Sequence, residues 1–294
     1  MSAPSHTAPI QDRLAATDGV LFDIDGCLAL FGPTPDESVA LPGAAETVER
    51  VRAGGRAVLA FTNASADTPA AIAAALGDLG IVLAEHEILT PAVVAAEVVA
   101  RRYPRRPVLA FGGPGLLDVL ADGGAALIDD AGDPTDAAAV IVGWDRRFCH
   151  DRLQRAARAL WNGADLLVTS DARSFASRGR PTAGLSGFIA HGLAHVTGAG
   201  IEILGKPSPT AMRMAARRIG VDTTRLLVVG DDLTLEIQMG LAAGAAAVLT
   251  TTGTHSAADA AEAPAHRRPH LVVDGLPELL KIWPGLGDQV EETV

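Results

Sequence analysis

The sequence predicts an α/β protein built on a parallel, doubly wound sheet, with a second and smaller α/β unit set into the middle of the chain. Short apolar runs of strand type alternate with longer Ala-, Val- and Leu-rich segments of helical spacing. Polar and charged residues gather at the carboxyl ends of those strands, where open α/β sheets bind their ligands. After the break Tyr103-Pro104-Arg105-Arg106-Pro107 the alternation starts afresh.

Gly19 to Phe22 is a compact apolar strand that runs directly into Asp23 and Asp25. One residue apart in extended chain, the two carboxylates leave the same side, and they repel each other unless a positive charge sits between them. A divalent cation with oxygen ligands, most simply magnesium, meets that need. Gly26 permits a sharp exit. By itself the stretch reads equally well as an Asp-Gly turn between a strand and a loop, so the rest of the chain has to decide. A polar, proline-punctuated loop from Ala29 to Ser38 follows. Pro42-Gly43 then leads into a helix with Ala44, Val48 and Val51 on one face and a stop at Gly54-Gly55.

A second strand, Arg56 to Phe61, ends on Thr62-Asn63-Ala64-Ser65. Thr68 as cap and Pro69 at the first helical position open the next helix, with Ile72, Leu76 and Leu79 on one face. Another helix covers Pro91 to Arg102. Past the break, the middle block reads V-L-A-F-G-G-P-G-L, A-A-L-I, A-V-I-V-G-W-D, a helix through Leu153 to Leu160, and D-L-L-V-T-S. A loop rich in Arg and Gly precedes a helix carrying His191 and His195. The chain is then expected to return to the first sheet with I-E-I-L-G-K-P-S-P. A helix from Thr210 to Ile219, the strand R-L-L-V-V-G-D-D, a helix near Leu235 to Ala243, A-A-A-V-L-T and a last short strand at L-V-V-D complete it.

Composition narrows the function. The 294 residues are 48% apolar, enough to fill one large core or two ordinary ones. A formal charge of -11 excludes a phosphate-neutralising nucleic-acid surface. No apolar run approaches the length that spans a bilayer, and the start, M-S-A-P-S-H-T-A-P, lacks a basic region followed by an apolar core. Two cysteines, Cys27 and Cys149, are too few for a disulfide framework. A cytoplasmic protein is expected. Neither nucleic acid nor a membrane is an expected partner; a second copy of the chain in a homodimer is.

Four polar stations stand at strand ends or just beyond: Asp23 with Asp25, Thr62 with Asn63, Lys206, and Asp231-Asp232 with Glu236. If their strands are neighbours in one sheet, these groups meet in one crevice. Carboxylates bind a cation, while a hydroxyl, an amide and an ammonium hold a phosphoryl group against it, which is the inventory that phosphoryl transfer needs.

With F-D-I-D-G-C-L, L-P-G-A-A-E, F-T-N-A-S, F-G-G-P-G-L, V-I-V-G-W-D, G-K-P-S-P and G-D-D-L-T-L-E-I in this order, the sequence resembles the haloacid dehalogenase superfamily of phosphatases. Within it, the chain is similar to the branch with a large inserted α/β cap that contains the NagD-like, phosphoglycolate and pyridoxal phosphatases. The resemblance implies a Rossmann-like parallel sheet core with helices on both faces (1–102 and 201–294) and an inserted α/β cap (103–200). It implies a magnesium-dependent phosphatase in which Asp23 attacks phosphorus and forms an aspartyl-phosphate. Asp25 would protonate the leaving oxygen and then activate water. The Asp23 carboxylate, the Asp25 carbonyl and Asp231 would hold Mg²⁺, and Thr62, Asn63 and Lys206 would hold phosphoryl oxygens. Relatives usually end the last motif in Leu-x-Thr-Asp-Ile, where this chain has Leu233-Thr234-Leu235-Glu236-Ile237; Glu236 would act through a metal-bound water.

The cap loop also departs from the family pattern, with Thr169-Ser170-Asp171-Ala172 and Pro181-Thr182-Ala183-Gly184. Arg173, Arg178 and Arg180 in this loop are candidates to recognise a second anionic group, against a plain reading as a solvated loop. His191 with His195, and His266 with His270, lack a third ligand and read as exposed helix faces. Gly112-Gly113-Pro114-Gly115 lacks the Lys and Ser/Thr of a P-loop and reads as a turn. A sugar or polyol phosphate is the favoured substrate, with phosphoglycolate or a nucleotide monophosphate behind. The rivals are a phosphotransferase or mutase using the same intermediate, and a binding protein that has kept the fold but lost turnover.

Overall fold

The structure, a computed structural model, describes residues 9–32, 37–175, 182–283 and 286. In chain order the strands are β1 (Gly19–Phe22), β2 (Ala29–Leu30), β3 (Val39–Ala40), β4 (Ala57–Phe61), β5 (Ile88–Leu89), β6 (Pro107–Phe111), β7 (Ala126–Leu127), β8 (Ala139–Val142), β9 (Asp165–Val168), β10 (Ser174–Phe175), β11 (Thr182–Ala183), β12 (Ile201–Ile203), β13 (Leu226–Gly230), β14 (Ala246–Thr250) and β15 (Leu271–Val273). Six of them form a parallel sheet in the order β15-β14-β13-β1-β4-β5, and five form a second parallel sheet in the order β12-β9-β8-β6-β7. The expected mixed α/β architecture is therefore present.

In the larger sheet the chain leaves β1 on one side to build β4 and β5, and returns on the other to build β13, β14 and β15. β1 is thus the point where the strand order reverses, and a crevice opens at the carboxyl ends there. Phe22 is in register with both Ala60 and Val229. Asp23, Thr62 and Asp231 consequently emerge within a residue of one another along three adjacent strands.

The period of two in β1 divides the core. Val20 and Phe22 pack with Val48, Val51, Leu76 and Trp283 on one face, while Leu21 packs with Leu59, Val228 and Met212 on the other. That second apolar cluster continues into Val108, Ile141 and Leu167 of the smaller sheet, so the two sheets share one continuous core through the helices Pro91–Arg102 and Pro209–Ile219. Those helices start where the sequence says they should. Thr90 Oγ1 accepts from the Val93 N–H and Ser208 Oγ from the Thr210 N–H, each with a proline at the next position.

One expectation is corrected. Ile201–Ile203 does not rejoin the larger sheet; it pairs with β9 as the edge strand of the smaller one, and the return comes only after it, with Lys206. A three-residue strand, Ile-Glu-Ile, fits either sheet edge, and the short chain left after the helix Leu185–Thr197, which packs on the smaller sheet, keeps it there. Within the break between the helix Pro91–Arg102 and β6, Tyr103 is buried and its hydroxyl donates to Asp165 Oδ2 at 2.5 Å, anchoring the break to the smaller sheet. Around the active-site mouth the structure adds two small antiparallel pairs absent from the sequence reading, β2 with β3 and β10 with β11.

Candidate active site

The site is assembled from three strand ends and one turn. Asp23 follows β1, Thr62 and Asn63 follow β4, Asp231 and Glu236 follow β13, and Lys206 arrives on the turn between β12 and the helix Pro209–Ile219. All six are buried, and Asp25 beside them is half-buried. The four stations seen in the sequence therefore do converge.

Lys206 is the hub. Its Nζ touches Asp23 Oδ1 directly, lies 2.6 Å from Glu236 Oε1 and donates to the Phe61 carbonyl at 2.8 Å. With only 3% of its surface exposed, an ammonium here is stable because two carboxylates surround it. Burial alone would lower the Lys206 pKa; the charges of Asp23 and Glu236 outweigh it and raise it.

Asn63 explains how the turn is held. Its Oδ1 accepts the Lys206 N–H at 2.8 Å and its Nδ2 donates to the Lys206 carbonyl at 3.1 Å. The side-chain amide of Asn63, a residue expected to hold a phosphoryl oxygen, is thus engaged through both its oxygen and its nitrogen in seating Lys206. Thr62 Oγ1 donates to Asp25 Oδ2 at 3.3 Å and accepts the Ala64 N–H at 3.0 Å.

Carboxylate oxygens of Asp23, Asp231 and Glu236 all lie within 4.8 Å of one another. Hard oxygen donors at that spacing fit a divalent cation such as Mg²⁺. The electrostatics agree: burial raises Asp23 well above its usual range, with Lys206 opposing and the neighbouring acids adding to the rise. Burial also lifts Asp25 to about 6 and Glu236 to about 7. Four acids around one ammonium leave the crevice short of positive charge, which is the state a bound cation relieves.

Glu236 stands closer to the centre than its expected role through a metal-bound water. It sits on a single π-helical stretch, Leu233–Ile237, that Asp232 caps by accepting the Thr234 and Leu235 N–H groups. Gly230 makes room for the longer side chain, since a Cβ there would lie 2.4 Å from Glu236 Cγ. The Asp25 carboxylate lies outside the acidic cluster, held by Thr62 and the Phe31 N–H.

These residues line a cavity of about 250 Å³ that is closed on its far side by the smaller-sheet unit, with Trp144, Ser174, Thr182 and Ser186 facing it. Ser65 links the halves, meeting Thr169 Oγ1 at 3.2 Å and accepting the Trp144 N–H at 3.3 Å. Arg173, expected to take part in substrate binding, is exposed and is not among the residues lining the cavity. Arg178 and Arg180 lie outside the described residues. Sequence reading passed over Trp144, Ser186 and Thr254, which line the crevice; Trp144 lies inside a quoted motif, whereas the other two carry no local signature. His191 pairs with Asp171 at 2.8 Å, in keeping with an exposed face rather than a ligand set with His195.

A family model described as haloacid dehalogenase-like hydrolase matches residues 20–126, and a second, HAD-hydrolase-like model matches residues 203–279. Chronophin of Rattus norvegicus is 32% identical over 292 residues, covering 95% of this chain and 91% of the relative. Among solved structures, 4-nitrophenylphosphatase from Thermotoga maritima matches with a TM-score of 0.80 at 25% identity over 92% of this chain and 98% of that one. Glycerol phosphate phosphatase from Mycobacterium tuberculosis in complex with magnesium matches with a TM-score of 0.78 at 28% identity, over 91% of this chain and 77% of that one. Among the described residues no helix is long and apolar enough to cross a membrane.

Proposed function

Because this chain belongs to the haloacid dehalogenase-like hydrolases and is a phosphatase of that family, we propose that it hydrolyses a small, hydroxylated phosphomonoester, a sugar or polyol phosphate, with magnesium and through an aspartyl-phosphate. The observation that carries this is the meeting of Asp23, Asp25, Asp231 and Lys206 in the crevice at the carboxyl ends of β1, β4 and β13.

Asp23 is the nucleophile. Its carboxylate oxygen forms a bond to phosphorus while the bond to the ester oxygen breaks, and the departing alkoxide takes its proton from Asp25. Water then attacks the aspartyl-phosphate, Asp25 accepts the proton, and phosphate and the free Asp23 carboxylate are regenerated. A group titrating at about 6 can serve in both directions near neutral pH. Asp23, Asp231 and Glu236 would hold Mg²⁺, whose positive charge would let an anionic nucleophile meet an anionic phosphate. Lys206 screens the same two charges, and Thr62 orients Asp25.

The leaving-group side of the cavity supports the substrate class. Ser174, Thr182 and Ser186 offer hydroxyls and Trp144 an apolar face, and no cationic side chain other than Lys206 lines it among the described residues. Neutral hydroxyls suit a polyol better than a second acidic group. In this reading the smaller-sheet unit acts as the cap that excludes bulk water. The glycerol phosphate phosphatase similarity points the same way. Purified protein tested on a panel of phosphorylated metabolites with and without Mg²⁺ should favour polyol and sugar phosphates, and Asp23→Asn should abolish turnover. Full metal-dependent phosphatase activity in the Asp23→Asn protein would sink the mechanism.

A further inference from the structure

We propose that the turn Thr252-Gly253-Thr254-His255, which follows β14, is a positioning device that fixes the Asp231 carboxylate and thereby sets the affinity of the site for its divalent cation.

Three of the four residues of the turn each have a separate hold. The Thr254 N–H donates to Asp231 Oδ2 at 2.6 Å, so one carboxylate oxygen is engaged by the turn and the other is left for the crevice. The His255 N–H donates to the Asp231 carbonyl at 3.1 Å, and His255 Nδ1 accepts the Leu233 N–H at 3.3 Å at the entrance to the π-helical stretch that carries Glu236. Thr252 Oγ1 donates to the Gly26 carbonyl at 2.5 Å, one residue beyond Asp25. The turn therefore joins the segment bearing Asp23 and Asp25 to the segment bearing Asp231 and Glu236.

Close approach is possible only because two glycines lack side chains. A Cβ on Gly253 would lie 2.0 Å from Asp231 Oδ2, and one on Gly26, where φ is +94°, would lie 2.6 Å from the same atom. The carboxylate is thus pinched between two backbone segments that come from opposite ends of the sequence. A carboxylate with one oxygen tethered and its rotation blocked offers the other oxygen in a single direction, so little ordering is left to be done when the ion binds. Outer partners of this kind govern ligand orientation and metal affinity.

The inference rests on the reading that Asp231 is a cation ligand, and the test separates the two. Mg²⁺ binding to the full-length protein is measured by titration calorimetry, alongside melting temperature without metal, for the parent and for Thr252→Val, Thr252→Ser, Gly253→Ala and Asp231→Asn. Thr252→Val keeps the shape and removes the link to Gly26; it should weaken Mg²⁺ binding on the order of 10-fold, and Gly253→Ala by up to about 100-fold. Thr252→Ser, which retains the hydroxyl, should restore parental affinity. Unchanged Mg²⁺ affinity in Thr252→Val overturns the proposal, whether or not the metal-free melting temperature falls, and it does so even if Gly253→Ala does not fold. Parental affinity in Asp231→Asn instead overturns the assignment of the metal site itself.

Discussion

Replacing Lys206 with Met tests the electrostatic account most directly. The side chain is 3% exposed, and its Nζ meets Asp23, Glu236 and the Phe61 carbonyl. Methionine fills a similar volume but leaves Asp23 and Glu236 buried without their cation. Removing one partner of a buried ion pair costs about 3–5 kcal/mol. At 2–4 °C per kcal/mol for a chain of this size, the metal-free protein at pH 8 should melt roughly 6–20 °C lower. The loss should shrink at pH 5.5, because Glu236 titrates at about 7 and is then neutral in the parent as well. Hydrolysis of an aryl phosphate should fall by about 10²–10³-fold in kcat, as for loss of one preorganised charge at a reacting group. Thermal melts in EDTA at the two pH values, with steady-state kinetics in Mg²⁺, read both effects. A variant melting within about 2 °C of the parent at pH 8 would refute the claim that Lys206 neutralises the buried acids.

Two further outcomes follow from the same geometry. Glu236 is raised from 4.5 to about 7 and Asp25 from 3.8 to about 6 by burial, so between those values the folded protein holds more protons than the unfolded chain. Metal-free stability should therefore fall as pH rises from about 5 to about 8, by on the order of 3 kcal/mol, and saturating Mg²⁺ should remove the trend; a metal-free melting temperature that climbs with pH over this window would contradict it. Asn63→Ala removes both contacts to the Lys206 backbone. It should lower kcat on the order of 10–100-fold through displacement of Lys206 while KM changes little, whereas a rise in KM alone would mean that Asn63 holds the substrate.

Much of this was legible before any coordinates. The strand Gly19–Phe22 could be read because four apolar residues end abruptly on two acids, and the helices opening at Pro69 and Pro91 because Thr-Pro is both cap and first turn. Four short strands were harder. β2, β3, β10 and β11 are two residues each, too short to show a period, and they form only because antiparallel partners lie beside them. Ile201–Ile203 went to the wrong sheet for the same reason.

By itself the sequence determined the strand-and-helix alternation, the placing of carboxylates, hydroxyl and lysine at strand ends, and hence the family and its chemistry. These are local facts: residue type and spacing fix them, and apolar periodicity reports them. Tertiary structure decided what each group touches. It engaged the Asn63 side chain as the clasp on Lys206, drew Glu236 into the acidic cluster, left Arg173 outside the cavity, and brought the Thr252–His255 turn against Asp231. The reason is physical: hydrogen-bond partners and close approaches between residues two hundred positions apart depend on strand order and register, and no short-range pattern encodes either.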